Sequence, residues 1–122
     1  MIIKRPMLAC SEAPDLSKIK YPIYISPKLD GIRCVVQKGR VLSRTFKDIP
    51  NDYVRRTLLA ELGSFENTAF DGELTVGESF NKTTSGIMSI EGAPYFTYTI
   101  FDAVKEGYEK TPFAERWEQL IS

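Results

Sequence analysis

The chain of 122 residues contains no histidine and only two cysteines, Cys10 and Cys34. Without histidine there is no Ser-His-Asp type of nucleophilic catalysis, and zinc loses its commonest nitrogen ligand. The two cysteines have no metal-ligand spacing and read as reduced thiols of an intracellular, cytoplasmic protein. No stretch approaches 18 uninterrupted apolar residues, so the sequence predicts no membrane span. The amino terminus, MIIKRPMLACSE, has neither the apolar core nor the small-residue cleavage site of a secretory signal. Net charge is absent too, with 16 basic residues against 16 acidic. What is present is a hydrophobic fraction of 43%, enough for the core of one folded domain.

The zero net charge hides an asymmetry. Between Ser26 and Arg56 there are eight Lys/Arg against three Asp/Glu, and from Thr57 onward four against eleven. The basic window, with Lys28, Arg33, Lys38, Arg40, Arg44 and Lys47, suits a phosphate-handling surface, although a solvated hairpin accounts for it equally well.

Patterning predicts the elements in turn. Residues 1–20 read as an extended arm carrying Pro6 and Pro14, and Tyr21 to Lys28 as a strand broken by prolines. Ile32 to Gln37 and Arg40 to Thr45 read as a hairpin turning at Lys38-Gly39. In NDYVRRTLLAELG, Val54, Leu58 and Leu62 recur at helical spacing, with Asn51 as N-cap and Gly63 as stop. Ala69 to Val76 alternates as a strand that sends Phe70, Gly72, Leu74 and Val76 to one face and Asp71, Glu73 and Thr75 to the other. The run YFTYTIF, Tyr95 to Phe101, is a further strand, ending at the acid Asp102. A last helix starts at Thr111-Pro112. Strands and helices without strict alternation predict an α+β fold with a largely antiparallel sheet and flanking helices.

Three short motifs carry chemistry. Lys28-Leu29-Asp30-Gly31, with Arg33, places a lysine at the end of an apolar segment, where partial desolvation favours the neutral amine and hence a nucleophile. Phe70-Asp71-Gly72-Glu73-Leu74 puts two carboxylates on one strand face around a glycine that admits close backbone approach. Tyr98-Thr99-Ile100-Phe101-Asp102 is the aromatic strand. Each residue also has a plain structural reading: Lys28 as a strand-end lysine, Arg33 and Arg44 as solvated hairpin residues, Glu73 as an exposed carboxylate, Asp71 as a strand-edge acid and Phe101 as a core aromatic.

In this order and spacing the motifs resemble those of the covalent nucleotidyltransferases: ATP-dependent DNA ligases, RNA ligases and mRNA capping enzymes. K-x-D-G-x-R matches the nucleophile motif, Ser43-Arg44 the next, D-G-E the third, and Phe101-Asp102 the end of the adenine-stacking strand. The arm Pro6-Met7-Leu8-Ala9, with PKLDGIRC and FNKTTSGIM, is similar to small phage and bacterial DNA ligases. The resemblance spans about residues 5 to 120. It implies a partial nucleotidyltransferase (ATP-grasp-like) domain that uses ATP and Mg2+ and acts on nicked double-stranded DNA.

On that resemblance Lys28 attacks the α-phosphate of ATP. At its ordinary pKa only about one lysine in a few thousand is neutral at pH 7, so a cationic neighbour, a metal and burial would have to assist. Arg33 and Arg44 would contact the ribose and phosphates of the nucleotide or the DNA end. Glu73 would bind the ribose hydroxyls or the metal, and Phe101 would stack on adenine. Ser26 and Leu29 would line the nucleotide site, with Ser26 standing where the family carries an acid. Asp30, Gly31 and Asp71 would orient the site.

Other members of the superfamily share these motifs. A capping guanylyltransferase shares K-x-D-G-x-R and D-G-E, an RNA ligase fragment is a second alternative, and a non-catalytic remnant that binds nucleotide or DNA is a third. The family's fourth and fifth motifs and its OB-fold domain do not appear. The expectation is therefore an incomplete adenylylation domain, unable to seal a nick alone, with a separate chain as one possible source of the missing motifs.

Overall fold

The computed structural model describes residues 2–4, 6–7 and 29–121. The expected strand Tyr21 to Lys28, and with it Ser26 and the candidate nucleophile Lys28, lies outside the described residues.

Four strands form one antiparallel sheet in the order β2-β1-β3-β4. They are β1 (Ile32–Gln37), β2 (Arg40–Leu42), β3 (Thr68–Val76) and β4 (Phe96–Lys105). Lys38 and Gly39 connect β1 to β2 with φ of 49° and 73°, the paired positive values of a type I′ hairpin turn. Strand β2 is shorter than the expected Arg40–Thr45. The chain curls at Ser43, whose N–H donates to the Lys47 carbonyl (2.7 Å) and whose carbonyl accepts from Phe46 N–H (2.9 Å). Phe46 then takes a φ of 61°, which no strand accommodates.

Helix α1 (Asp52–Leu62) has the expected bounds. The Asn51 side-chain oxygen accepts from Val54 N–H at 2.9 Å, the standard N-cap bond. The same amide's Nδ2 donates to the carbonyls of Ser89 (2.8 Å), Gly92 (3.2 Å) and Glu91 (3.3 Å), so a fully buried cap also fastens the 89–92 loop. Helix α2 (Phe80–Ile87) was not anticipated by the periodicity. Only eight residues long and rich in Thr, Ser and Gly, it is a weak helix former by propensity. Tertiary bonding supports it: buried Thr83 accepts from Val76 N–H (2.8 Å) and donates back to the Ser79 carbonyl (3.1 Å). Helix α3 (Phe113–Ile121) follows Pro112, whose carbonyl accepts from Arg116 N–H at 3.1 Å.

Cys34, Val36, Val41, Ile49, Val54, Leu58, Phe70, Leu74 and Ile87 form the buried core under α1 and α2. The opposite face of β1 is also covered. There Val35 is buried, and the Gln37 amide takes both backbone groups of Ile3, accepting at 2.7 Å and donating at 2.9 Å. No helix among the described residues is long and apolar enough to cross a membrane.

Candidate nucleotide site

Two motif glycines sit where a side chain has no room. A Cβ on Gly31 would lie 2.2 Å from the Leu74 carbonyl oxygen and 2.9 Å from Glu73 Cγ. A Cβ on Gly72 would meet the Thr99 carbonyl at 2.4 Å and the Tyr98 ring at 2.7 Å. Both clashes involve backbone, so neither is relieved by a side-chain rotation. Gly31 thereby lies close against β3, and its N–H donates to the Glu73 carboxylate. Gly72 lets Tyr98 lie over the core side of β3, with its hydroxyl donating to the Cys34 carbonyl at 2.7 Å.

On the other face the register sets Arg33 opposite Glu73 and Val35 opposite Asp71. Arg33 reaches along the sheet to Asp71 and grips it with both arms of its fork, Nε to Oδ1 at 2.7 Å and Nη2 to Oδ2 at 2.6 Å. The pair is largely buried, with side-chain exposures of 16% and 7%. Asp71 is thus not a strand-edge acid: β3 lies between β1 and β4, and its carboxylate is committed to Arg33. The bond to Asp71 raises the Arg33 pKa further, so the guanidinium stays charged.

β4 does not end at Asp102 but pairs with β3 as far as Lys105. Between the pairs Asp71↔Asp102 and Gly72↔Ile100 the register shifts, leaving Phe101 as the extra residue of a β-bulge. Phe101 is half-buried and lies outside the core cluster. Its ring is under the Arg33 guanidinium, 4.9 Å from Cζ to centroid. Tyr98 and Ile100 pack against the core, so alternation turns Phe101 to the Arg33 face, and the bulge then keeps Asp102 on that same face, opposite Asp71.

Glu73 is the carboxylate of this face without an arginine fork on it. Burial pushes its pKa above the ordinary carboxylate value, opposed by the Gly31 N–H and by Arg33, and aided by the charges of Asp71 and Asp30. Asp30 is exposed and Leu29 half-exposed beside this segment. Among the described residues no group of three or more His, Cys, Asp or Glu side chains is arranged to hold a metal.

The structure therefore brings Gly31, Arg33, Asp71, Glu73 and Phe101 together. It does not bring Arg44 to them: Arg44 is exposed in the turn after β2, on the far side of β1 from β3. Sequence reading passed over Arg116, which binds Asp102 from α3 through Nε to Oδ1 (2.8 Å) and Nη2 to Oδ2 (2.9 Å). Nothing in the local pattern links two residues 14 apart across a turn. An open cleft of about 1160 Å³ borders the cluster; Asp71, Asp102 and Arg116 line it, Glu73 and Phe101 do not.

No family model and no curated protein matches the chain. Solved structures do. The crystal structure of Chlorella virus DNA ligase-adenylate superposes with a TM-score of 0.75 and 34% identity, over 98% of this chain and 42% of that one. A second crystal structure of Chlorella virus DNA ligase-adenylate gives a TM-score of 0.70 and 32% identity, over 89% of this chain and 38% of that one. The chain thus spans less than half the length of the ligase it matches. In fold and in sequence the chain is similar to part of Chlorella virus DNA ligase-adenylate.

Proposed function

We propose that these residues belong to the adenylylation domain of an ATP-dependent DNA ligase, in which Lys28 becomes covalently joined to AMP. The observation that carries this reading is the set Arg33, Asp71, Glu73 and Phe101 on one sheet face, in a chain 34% identical to a DNA ligase-adenylate.

Neutral Lys28 Nζ forms a bond to the α-phosphorus of ATP. The bond from that phosphorus to the bridging oxygen breaks, its electron pair leaves with pyrophosphate, and the amine proton passes to solvent. Phe101, backed by Arg33, would stack on the adenine through its other ring face. Arg33 stays charged near the phosphates and favours the neutral amine. Glu73 accepts from a ribose hydroxyl or holds Mg2+, while Ser26 and Leu29 flank the nucleotide, and Asp30, Gly31 and Asp71 fix the loop and the arginine.

A magnesium ion fits this donor set, since it is commonly held through one or two carboxylates with substrate phosphates and water completing its shell. Glu73 supplies that carboxylate, Asp71 being occupied by Arg33. When bound, Mg2+ would neutralise charge on the triphosphate. In the whole ligase AMP would then pass to the 5′-phosphate of nicked double-stranded DNA, and the 3′-hydroxyl would displace it.

The exposed turn position of Arg44 suits contact with a DNA phosphate better than contact with the nucleotide. Incubation with α-labelled ATP or GTP and a divalent cation, followed by a denaturing gel, tests the reading. Label from ATP and not from GTP is expected; preference for GTP would favour a capping guanylyltransferase.

A further inference from the structure

The bulge that sets Phe101 apart is itself pinned by a second ion pair, on the same sheet face as the first. Asp102, the next residue, takes three donors. Its Oδ1 accepts from its neighbour Ala103 N–H (2.9 Å) and from Arg116 Nε (2.8 Å), and its Oδ2 accepts from Arg116 Nη2 (2.9 Å). Arg116 Nη1 also donates to the Thr111 carbonyl, and its guanidinium lies 5.4 Å from the Phe113 ring centroid. Both partners are largely withdrawn from solvent, with side-chain exposures of 14% and 16%.

Asp102 is the cross-strand partner of Asp71, and Asp71 holds the Arg33 that lies on Phe101. Phe101 is therefore fixed twice: at its ring by Arg33–Asp71, and at its backbone by Asp102–Arg116. A one-residue slip at a bulge would exchange which side chain faces the cluster, because strand side chains alternate. An ion pair of this burial adds little net stability over an apolar pair, but a bidentate one sets geometry.

We infer that Arg116 is a positioning residue for nucleotide binding: through Asp102 it locks the bulge register and so the orientation of the Phe101 ring. The inference rests on the reading that Phe101 stacks on the base.

A double-mutant cycle tests it. ATP dissociation constants are measured by calorimetry in EDTA, so that no transfer occurs, for wild type, Phe101→Ala, Arg116→Gln and the double variant. Circular dichroism confirms that each is folded. Phe101→Ala is expected to weaken binding about fivefold or more, and Arg116→Gln to weaken it comparably. The double variant should be no weaker than Phe101→Ala, since the pair acts only through that ring. Asp102→Asn, which keeps an oxygen for Ala103 N–H but loses the charge, should weaken binding as Arg116→Gln does, and it takes that variant's place in the cycle should Arg116→Gln unfold. Losses that multiply in the double variant, or folded Arg116→Gln and Asp102→Asn proteins with wild-type affinity, overturn the inference. If the Arg116 variants bind normally while Phe101→Ala is weakened, only the positioning role fails. Wild-type affinity in Phe101→Ala removes the stacking reading and this inference together.

Discussion

Arg33 and Asp71 show how a charge pair can be both anchor and support. The pair makes two bonds under 3 Å at low exposure, so removing one partner leaves the other desolvated and alone. Asp71→Ala is expected to lower unfolding free energy by about 2–4 kcal/mol, a range set by the cost of orphaning a buried charge. Urea denaturation measures it. Glu73 behaves in the opposite sense. Its folded-state pKa is raised, chiefly by burial, so its ionised form destabilises the fold. The favourable contribution is present below the unfolded carboxylate pKa and disappears as pH climbs through the raised folded value. Glu73→Gln should therefore melt higher than wild type at neutral pH, with the difference shrinking on acidification through the carboxylate range. A series of thermal melts against pH checks this; a gap that widens on acidification would contradict it.

Among the elements, those with strong local signals were legible and those held by distant partners were not. Helix α1 was readable from cap to stop because Asn51, the leucine spacing and Gly63 all point one way. Strand β1 matched its apolar run residue for residue. Helix α2 escaped because its main support is a hydrogen bond from β3 to Thr83, which no periodicity records. The extension of β4 escaped for a related reason: after Phe101 the bulge keeps Asp102 on the same face and breaks the alternation, so the sequence pattern stops where the strand only changes register. The candidate site followed the same division. Arg33, Asp71, Glu73 and Phe101 were named from motifs and meet on one face, whereas their bonding order, with Arg33 on Asp71 and under-ring contact to Phe101, came from geometry.

Asn51 links these elements, capping α1 and holding three carbonyls of the 89–92 loop. Its replacement by alanine removes the cap and leaves buried polar groups unpaired. Asn51→Ala should cost about 2–3 kcal/mol, with faster hydrogen exchange at Val54 and greater protease access around Ser89. Unchanged stability would mean that the loop and the cap find other partners.

At the scale of the whole molecule, a four-stranded sheet buries an apolar core on one face. On the other it presents an arginine–aspartate pair, one unclamped carboxylate and an aromatic ring. Gly31 meets that second face, its N–H bonded to Glu73. The central claim is that this face serves transfer of AMP to Lys28. The most direct measurement is mass spectrometry of proteolytic peptides after incubation with ATP and Mg2+, run beside GTP and beside Lys28→Ala. The account predicts AMP on the peptide that holds Lys28, at that lysine, with no GMP counterpart and no adduct in Lys28→Ala. AMP on another residue, an adduct that survives Lys28→Ala, or as much GMP as AMP would contradict it.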